Sequence, residues 1–189
     1  MPVWKRTFDI LLGLLLAPLA GMILIAAVVA IRLTSKGPAV HLSARVGRDK
    51  VIFMMPKLRT MWIDTPQMAT HLLDDPAKRL TPVGAVLRKT SVDELPQIYS
   101  VLKGDMSFVG PRPALFNQDD LVAQREALEV NTLTPGITGW AQVNGRDEIS
   151  IPQKVALDHY YLQNRSMALD LKILWMTAAN ALTGKDVRH

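Results

Sequence analysis

Residues 10–31 read ILLGLLLAPLAGMILIAAVVAI, 22 positions without a single charge. As one continuous helix this run measures roughly 33 Å, about one hydrocarbon core. Lys5 and Arg6 precede it; Arg32 and Lys36 follow it. It is too long for the apolar core of a cleavable signal peptide, and no small-residue cleavage site leads into a polar mature chain. Two arrangements satisfy it. One is a single transmembrane span. The other is a re-entrant hairpin over residues 1–35, entering and leaving the membrane by one face. Pro18, with Gly13 and Gly21 nearby, removes a helical hydrogen bond and crowds the preceding turn, so a kink or break belongs there. Cations on both flanks give no positive-inside asymmetry. A hairpin with both ends on one side explains that symmetry.

Outside this run, the 189-residue chain has length for one domain with a real core. Its formal charge is +5, from 22 Lys+Arg against 17 Asp+Glu. That balance favours anionic partners such as lipid headgroups and nucleotide phosphates. Only 6% of residues are aromatic and none cluster with the basic ones, which argues against nucleic acid. The chain has no cysteine, so disulfides, thiolate metal sites and cysteine nucleophiles are excluded. His41, His71 and His159 lack metal-ligand spacing. There is no Walker loop, dinucleotide fingerprint or nucleophile elbow.

Thr34 to Pro38 reads as the turn that ends the membrane segment. Ala39 to Met55 alternates weakly around Gly47-Arg48-Asp49-Lys50, which predicts two short strands and a turn. Helices are predicted over Leu80–Lys89, Leu95–Lys103 (ended by Gly104), Gln118–Glu129, Pro152–Asn164 and Leu169–Leu182. The last carries Leu169, Leu171, Ile173, Leu174, Trp175 and Met176. It suits either the core or the bilayer interface.

The chemistry centres on Ser91-Val92-Asp93-Glu94-Leu95-Pro96. Consecutive residues of a helix point about 100° apart, so Asp93 and Glu94 do not share one proton and separate roles are expected. The plain alternative is a capping box, with Ser91 as N-cap and Glu94 three residues on. Against it stand the nearby cations. A helix N-terminus attracts phosphate, Arg88, Lys89 and Arg112 add charge-assisted contacts, and a carboxylate can hold Mg²⁺ that bridges to phosphates. Arg112 lies between Pro111 and Pro113, on a stiff backbone suited to bidentate phosphate binding. Arg146 follows Asn144-Gly145, where bare backbone admits a ligand. Lys57 and Arg59 can neutralise phosphates or headgroups, or simply be solvated. Asp105, at a helix end, suits a turn, and Asp170, within an apolar run, suits a partnered structural acid.

Taken together these segments resemble the bacterial monotopic phosphoglycosyl transferases, or bacterial sugar transferases, in their small single-domain form. The likeness rests on Lys5-Arg6-x-x-Asp9, Lys57-x-Arg59-Thr60-Met61 and Ser91-x-Asp93-Glu94-Leu95-Pro96-Gln97. It continues through Leu102 to Pro113 (LKGDMSFVGPRP), Pro135 to Arg146 (PGITGWAQVNGR), Asp158-x-Tyr160-Tyr161 and Leu169-Asp170-x-Lys172. The resemblance implies an α+β fold: a helix-rich, membrane-associated domain with a Pro18-broken re-entrant hairpin, a small β element and interfacial amphipathic helices. Residues 36–189 would form the catalytic part, on the cytoplasmic face of the bacterial inner membrane. The implied reaction moves a sugar-1-phosphate from a UDP-sugar to undecaprenyl phosphate. Asp93 would carry a covalent phosphosugar and Glu94 would assist it, with Mg²⁺ held by Asp93 and Glu94. Arg88, Arg112 and Arg146 would contact phosphate, and Lys57, Arg59 and Asp170 would support the site. Here Ala17-Pro18 replaces the Ser-Pro that many members carry, and alanine has no hydroxyl for a carbonyl freed by the kink. Two rivals stand beside this reading. One is direct single displacement with Asp93 only a metal ligand; the other is a non-catalytic basic membrane scaffold. The sequence names neither the sugar nor the oligomeric state.

Overall fold

The computed structural model describes residues 1–66, 75–145 and 149–183. Arg146 and His71 lie outside the described residues.

The apolar run folds as part of one helix, α1 (Val3–Thr34), with Pro18 inside the element rather than between two elements. Its 32 residues make it long and apolar enough to cross a membrane. Its contacts are one-sided. Lys5, Asp9, Gly13, Ala20, Ala27 and Ile31 are buried, and steps of four and seven keep residues on one helical face. That face lies along the rest of the protein from the first turn to the last. Near the start, Asp9 Oδ1 accepts from Phe108 N at 3.1 Å. Ala20 joins the main core with Val101, Met106, Phe108 and Ile173. Near the end, Ala27 and Ile31 pack with Leu58 and Leu87. Leu11, Leu14, Leu15, Leu19, Met22, Ile25, Val29 and Leu33 are exposed on the other side.

Cations fasten the helix at both ends. Lys5 Nζ meets Asp170 Oδ2 at 2.5 Å in a buried pair, and Arg6 donates to the carbonyls of Val101 and Leu102, both at 2.6 Å. At the far end Arg59 donates Nη1 to Lys36 O at 2.6 Å and Nη2 to Ser35 O and Oγ at 3.0 and 2.6 Å. A guanidinium there satisfies carbonyls and complements the negative end of the helix dipole.

The expected strand pair is present. β1 (Val40–Val46) and β2 (Ile52–Leu58) run antiparallel, with His41 opposite Lys57 and Arg45 opposite Phe53. The turn between them puts Asp49 at φ 53° and Lys50 at φ 64°, left-handed conformations that a tight connection demands. The chain continues through α2 (Pro82–Lys89), α3 (Gln97–Lys103) and β3 (Ser107–Val109). Then come α4 (Asp119–Ala127), β4 (Gly136–Thr138), α5 (Trp140–Asn144), α6 (Ile151–Asn164) and α7 (Met167–Thr183). Thr81 caps α2 by accepting from Gly84 N, and Gly104 ends α3 at φ 106°. A pairing not foreseen is parallel: β3 and β4, three residues each, lie side by side with Ser107 opposite Gly136. Gly136 is required there, since a Cβ would sit 2.1 Å from Gly110 N. α7 fills the core role the sequence allowed and leaves part of its apolar surface open. Asp170 and Ile173 are fully buried, whereas Leu171 and Trp175 are exposed.

Candidate active site

The structure overturns the capping box. Ser91 adopts φ 55° and its side chain caps nothing. It follows Thr90, the residue that caps the end of α2, and its N–H bonds back to Arg88 O at 3.2 Å. A left-handed residue just past a helix is the usual way to terminate one, so Ser91 closes α2 rather than opening a helix. The reversal swings the chain into a short 3₁₀ turn, Val92–Glu94, that carries both acids.

Glu94 is thereby free of capping duty and its Oε1 takes two cations. Lys57 Nζ, from β2, donates at 2.7 Å; Arg112 Nη2, from the Pro111-Arg112-Pro113 segment, donates at 2.6 Å. Burial works against the Glu94 charge, but Arg112 and Lys57 outweigh it and hold the carboxyl well below the usual range. Asp93 is 6% exposed, and its carboxylate accepts no hydrogen bond among the described residues. Burial pushes its pKa up; Lys57 opposes this, Glu94 adds to it, and Arg88 and Arg112 oppose it. Two neighbouring carboxylates are thus driven in opposite directions. Glu94 is an anion neutralised by salt bridges, and Asp93 is a buried, more basic carboxylate left to react or to ligate.

Three of the expected cations converge on this pair. Lys57 and Arg112 do so by direct contact, and Arg88, in the last turn of α2, through electrostatic coupling to both Asp93 and Glu94. Arg59, expected at the phosphates, does not join them: it is committed to the carbonyl end of α1. Asp170 is not at the dyad either. It pairs with Lys5 and accepts from Tyr161 OH at 2.6 Å, binding α7 to α1 and α6. Asp105 pairs with Lys103 at 2.7 Å beyond the end of α3, in keeping with a turn role. Sequence reasoning missed Arg45. It is coupled electrostatically to Arg112 and Glu94, and burial lowers its pKa to about 10, which leaves it cationic at neutral pH. Once the β1–β2 register sets His41 against Lys57, two-residue alternation puts Arg45 on the face that carries Lys57.

The donor set fits Mg²⁺. No group of three or more His, Asp or Glu suited to a closed metal cage occurs among the described residues. Mg²⁺ needs none: one or two carboxylates, substrate phosphates and waters complete its shell. The Asp93 carboxylate and the second oxygen of Glu94 accept no hydrogen bond among the described residues and would be the pair to hold it.

The family described as bacterial sugar transferase matches residues 1–184. The chain belongs to that family. Among curated relatives, EpsL of Bacillus subtilis (strain 168), an uncharacterized sugar transferase, is 39% identical over 99% of this chain and 91% of its own. A UDP-N-acetylgalactosamine-undecaprenyl-phosphate N-acetylgalactosaminephosphotransferase of Aeromonas hydrophila is 39% identical over 97% of this chain and 45% of its own. A UDP-glucose:undecaprenyl-phosphate glucose-1-phosphate transferase of Caulobacter vibrioides is 40% identical over 95% of this chain and 70% of its own. This bacterial sugar transferase therefore spans nearly all of EpsL but less than half of the Aeromonas relative.

Proposed function

We propose that this bacterial sugar transferase moves a sugar-1-phosphate from a UDP-sugar to undecaprenyl phosphate, through a phosphosugar carried on Asp93. The observation that carries the reading is the contrast within the dyad. Glu94 is held by two cations, while Asp93, buried beside the same cations, accepts no hydrogen bond among the described residues. Relatives named as undecaprenyl-phosphate sugar phosphotransferases support the reaction class.

An Asp93 oxygen attacks the β-phosphorus of the donor. The bond from that phosphorus to the bridging oxygen breaks, and its electron pair leaves with UMP. A phosphate oxygen of the polyprenyl acceptor then attacks the same phosphorus. The Asp93–phosphorus linkage breaks, the carboxylate is restored and polyprenyl diphosphate sugar departs. Division into two displacements lets a water-soluble donor and a lipid acceptor use one nucleophile in turn. Lys57, Arg88 and Arg112 offset phosphate charge so that an anionic carboxylate can approach. Mg²⁺ held by Asp93 and Glu94 would polarise the phosphoryl oxygens.

The geometry of α1 supports a monotopic arrangement, which we place on the cytoplasmic face, where a soluble UDP-sugar donor would be met. A 32-residue helix is about 48 Å long if straight. A span crossing the bilayer would carry its two ends to opposite sides, yet both ends of α1 grip the same body. Lipid would then bathe the exposed leucine-rich face of α1, with Leu171 and Trp175 of α7 adding to it.

The covalent route is tested by omitting the acceptor. Enzyme in nanodiscs with excess UDP-sugar and Mg²⁺ is expected to release about one UMP per active site and to gain a sugar-phosphate adduct on the Asp93 peptide. Direct displacement gives no UMP under those conditions. The pH profile provides a second check. Asp93 must be ionised to attack, and its pKa is raised above 3.8. At limiting Mg²⁺ and donor, the rate of UMP release should therefore rise with pH along a limb displaced above the ordinary carboxylate range, and saturating Mg²⁺, which favours the ionised carboxylate, should move that limb down. Glu94, held low, should add no limb there.

A further inference from the structure

The backbone that presents Arg112 is gripped by two other arginines. Arg125, in α4 and 5% exposed, donates Nη1 to Arg112 O at 2.9 Å. Its Nε and Nη2 donate to Asp158 Oδ2, on α6, at 3.0 and 2.6 Å. Arg45, in β1, donates Nη1 to Pro113 O at 3.3 Å and Nε to Ser43 Oγ at 3.1 Å. Val46 N then donates to Ala114 O at 2.9 Å. Three successive carbonyls, 112 to 114, are thus each bonded, two of them by guanidinium groups.

We propose that Arg125, aligned by Asp158 and aided by Arg45, is a positioning residue that sets the direction in which Arg112 offers its guanidinium to the site. This rests on the reading of Arg112 as a phosphate-binding group. Pro111 and Pro113 fix their own φ, and Pro113 also restricts Arg112 to extended backbone. The freedom left at Arg112 is its own φ and the remaining spread of its ψ, and the bond from Arg125 to its carbonyl oxygen narrows both. A plain structural ion pair needs only the Asp158 contacts. Arg125 also spends its third nitrogen on the carbonyl of the residue that touches Glu94. Lysine can replace the charge but cannot reproduce both contacts at once. Displacement of a catalytic group by about 1 Å can cost about 10²-fold in rate.

The test is a double-mutant cycle on the full chain in nanodiscs, reading single-turnover UMP release and thermal stability together. Arg125→Lys keeps a cation beside Asp158 and is expected to slow UMP release roughly 10- to 100-fold. In an Arg112→Ala background the same change should cost nothing further, because Arg112 is the group through which Arg125 acts. If the two losses multiply, Arg125 is merely structural and the proposal is overturned, with the proposed function untouched. If Arg112→Ala itself releases UMP at the native rate, the phosphate role of Arg112 fails and this proposal with it. Should Arg125→Lys not fold, Arg45→Lys tests the neighbouring carbonyl by the same cycle. Its loss must also vanish without Arg112 for the proposal to stand.

Discussion

Asp93→Asn is expected to stop turnover, with kcat falling by roughly 10³-fold or more, as when a covalent nucleophile is removed. The amide is nearly the same shape and keeps the site filled, so the loss reports chemistry rather than packing. Both signals should disappear together: UMP release without acceptor, and the sugar-phosphate adduct on the peptide containing residue 93. Membrane attachment should persist, since Asp93 makes no contact that holds α1. Native-rate turnover by Asp93→Ala would remove the dyad from the chemistry altogether. A basic scaffold without activity predicts no difference from wild type in any of these measurements.

The largest effect on stability is expected at the opposite end of the fold. Asp170→Asn leaves the Lys5 ammonium 5% exposed and without its counter-charge. Breaking one side of a buried ion pair costs roughly 3–5 kcal/mol, a fall in Tm of roughly 10 °C for a chain of this size. Tyr161 OH keeps a partner in the amide, so the loss isolates the charge. Lys5→Met with Asp170→Leu and Tyr161→Phe removes the bonded trio together, and should recover only part of that stability because buried Asp9, which Lys5 also faces, stays behind. Thermal unfolding in nanodiscs compares the three proteins. A Tm for Asp170→Asn equal to wild type would mean that the pair holds nothing together.

What could be read from the sequence was what local pattern encodes. The turn at residues 47–50 announced the β1–β2 hairpin, Gly104 announced the end of α3, and the apolar run announced α1. Ser91-x-x-Glu94 was ambiguous because the same letters suit the start of one helix or the end of another. The choice was made at a distance, by Lys57 and Arg112 drawing on Glu94 from 37 and 18 residues away. Arg59 was misread for the same reason. A cation beside a motif of cations looks like part of the site, but its partners are the carbonyls that close α1, more than 20 residues earlier. The Lys5–Asp170 and Arg125–Asp158 pairs join positions 165 and 33 residues apart. No periodicity connects such positions. The sequence drew attention to the two acids, but the division between a salt-bridged Glu94 and an Asp93 that accepts no hydrogen bond among the described residues emerged only from the fold.

α1 is a wall of the interior as well as the proposed anchor. Gly13 lets Leu102 and Phe108 approach it, Ala20 shares the principal cluster with Val101 and Ile173, and Ile31 seals the second cluster over Leu58 and Leu87. Trimming the first 34 residues to obtain a water-soluble catalytic fragment would therefore strip cover from the protein's own centre. Val101 and Met106, now sealed from solvent, would lose shelter, and Arg6 would leave the end of α3 uncapped. In this protein the proposed attachment to lipid and the ability to fold rest on one helix, and a shortened chain would forfeit both.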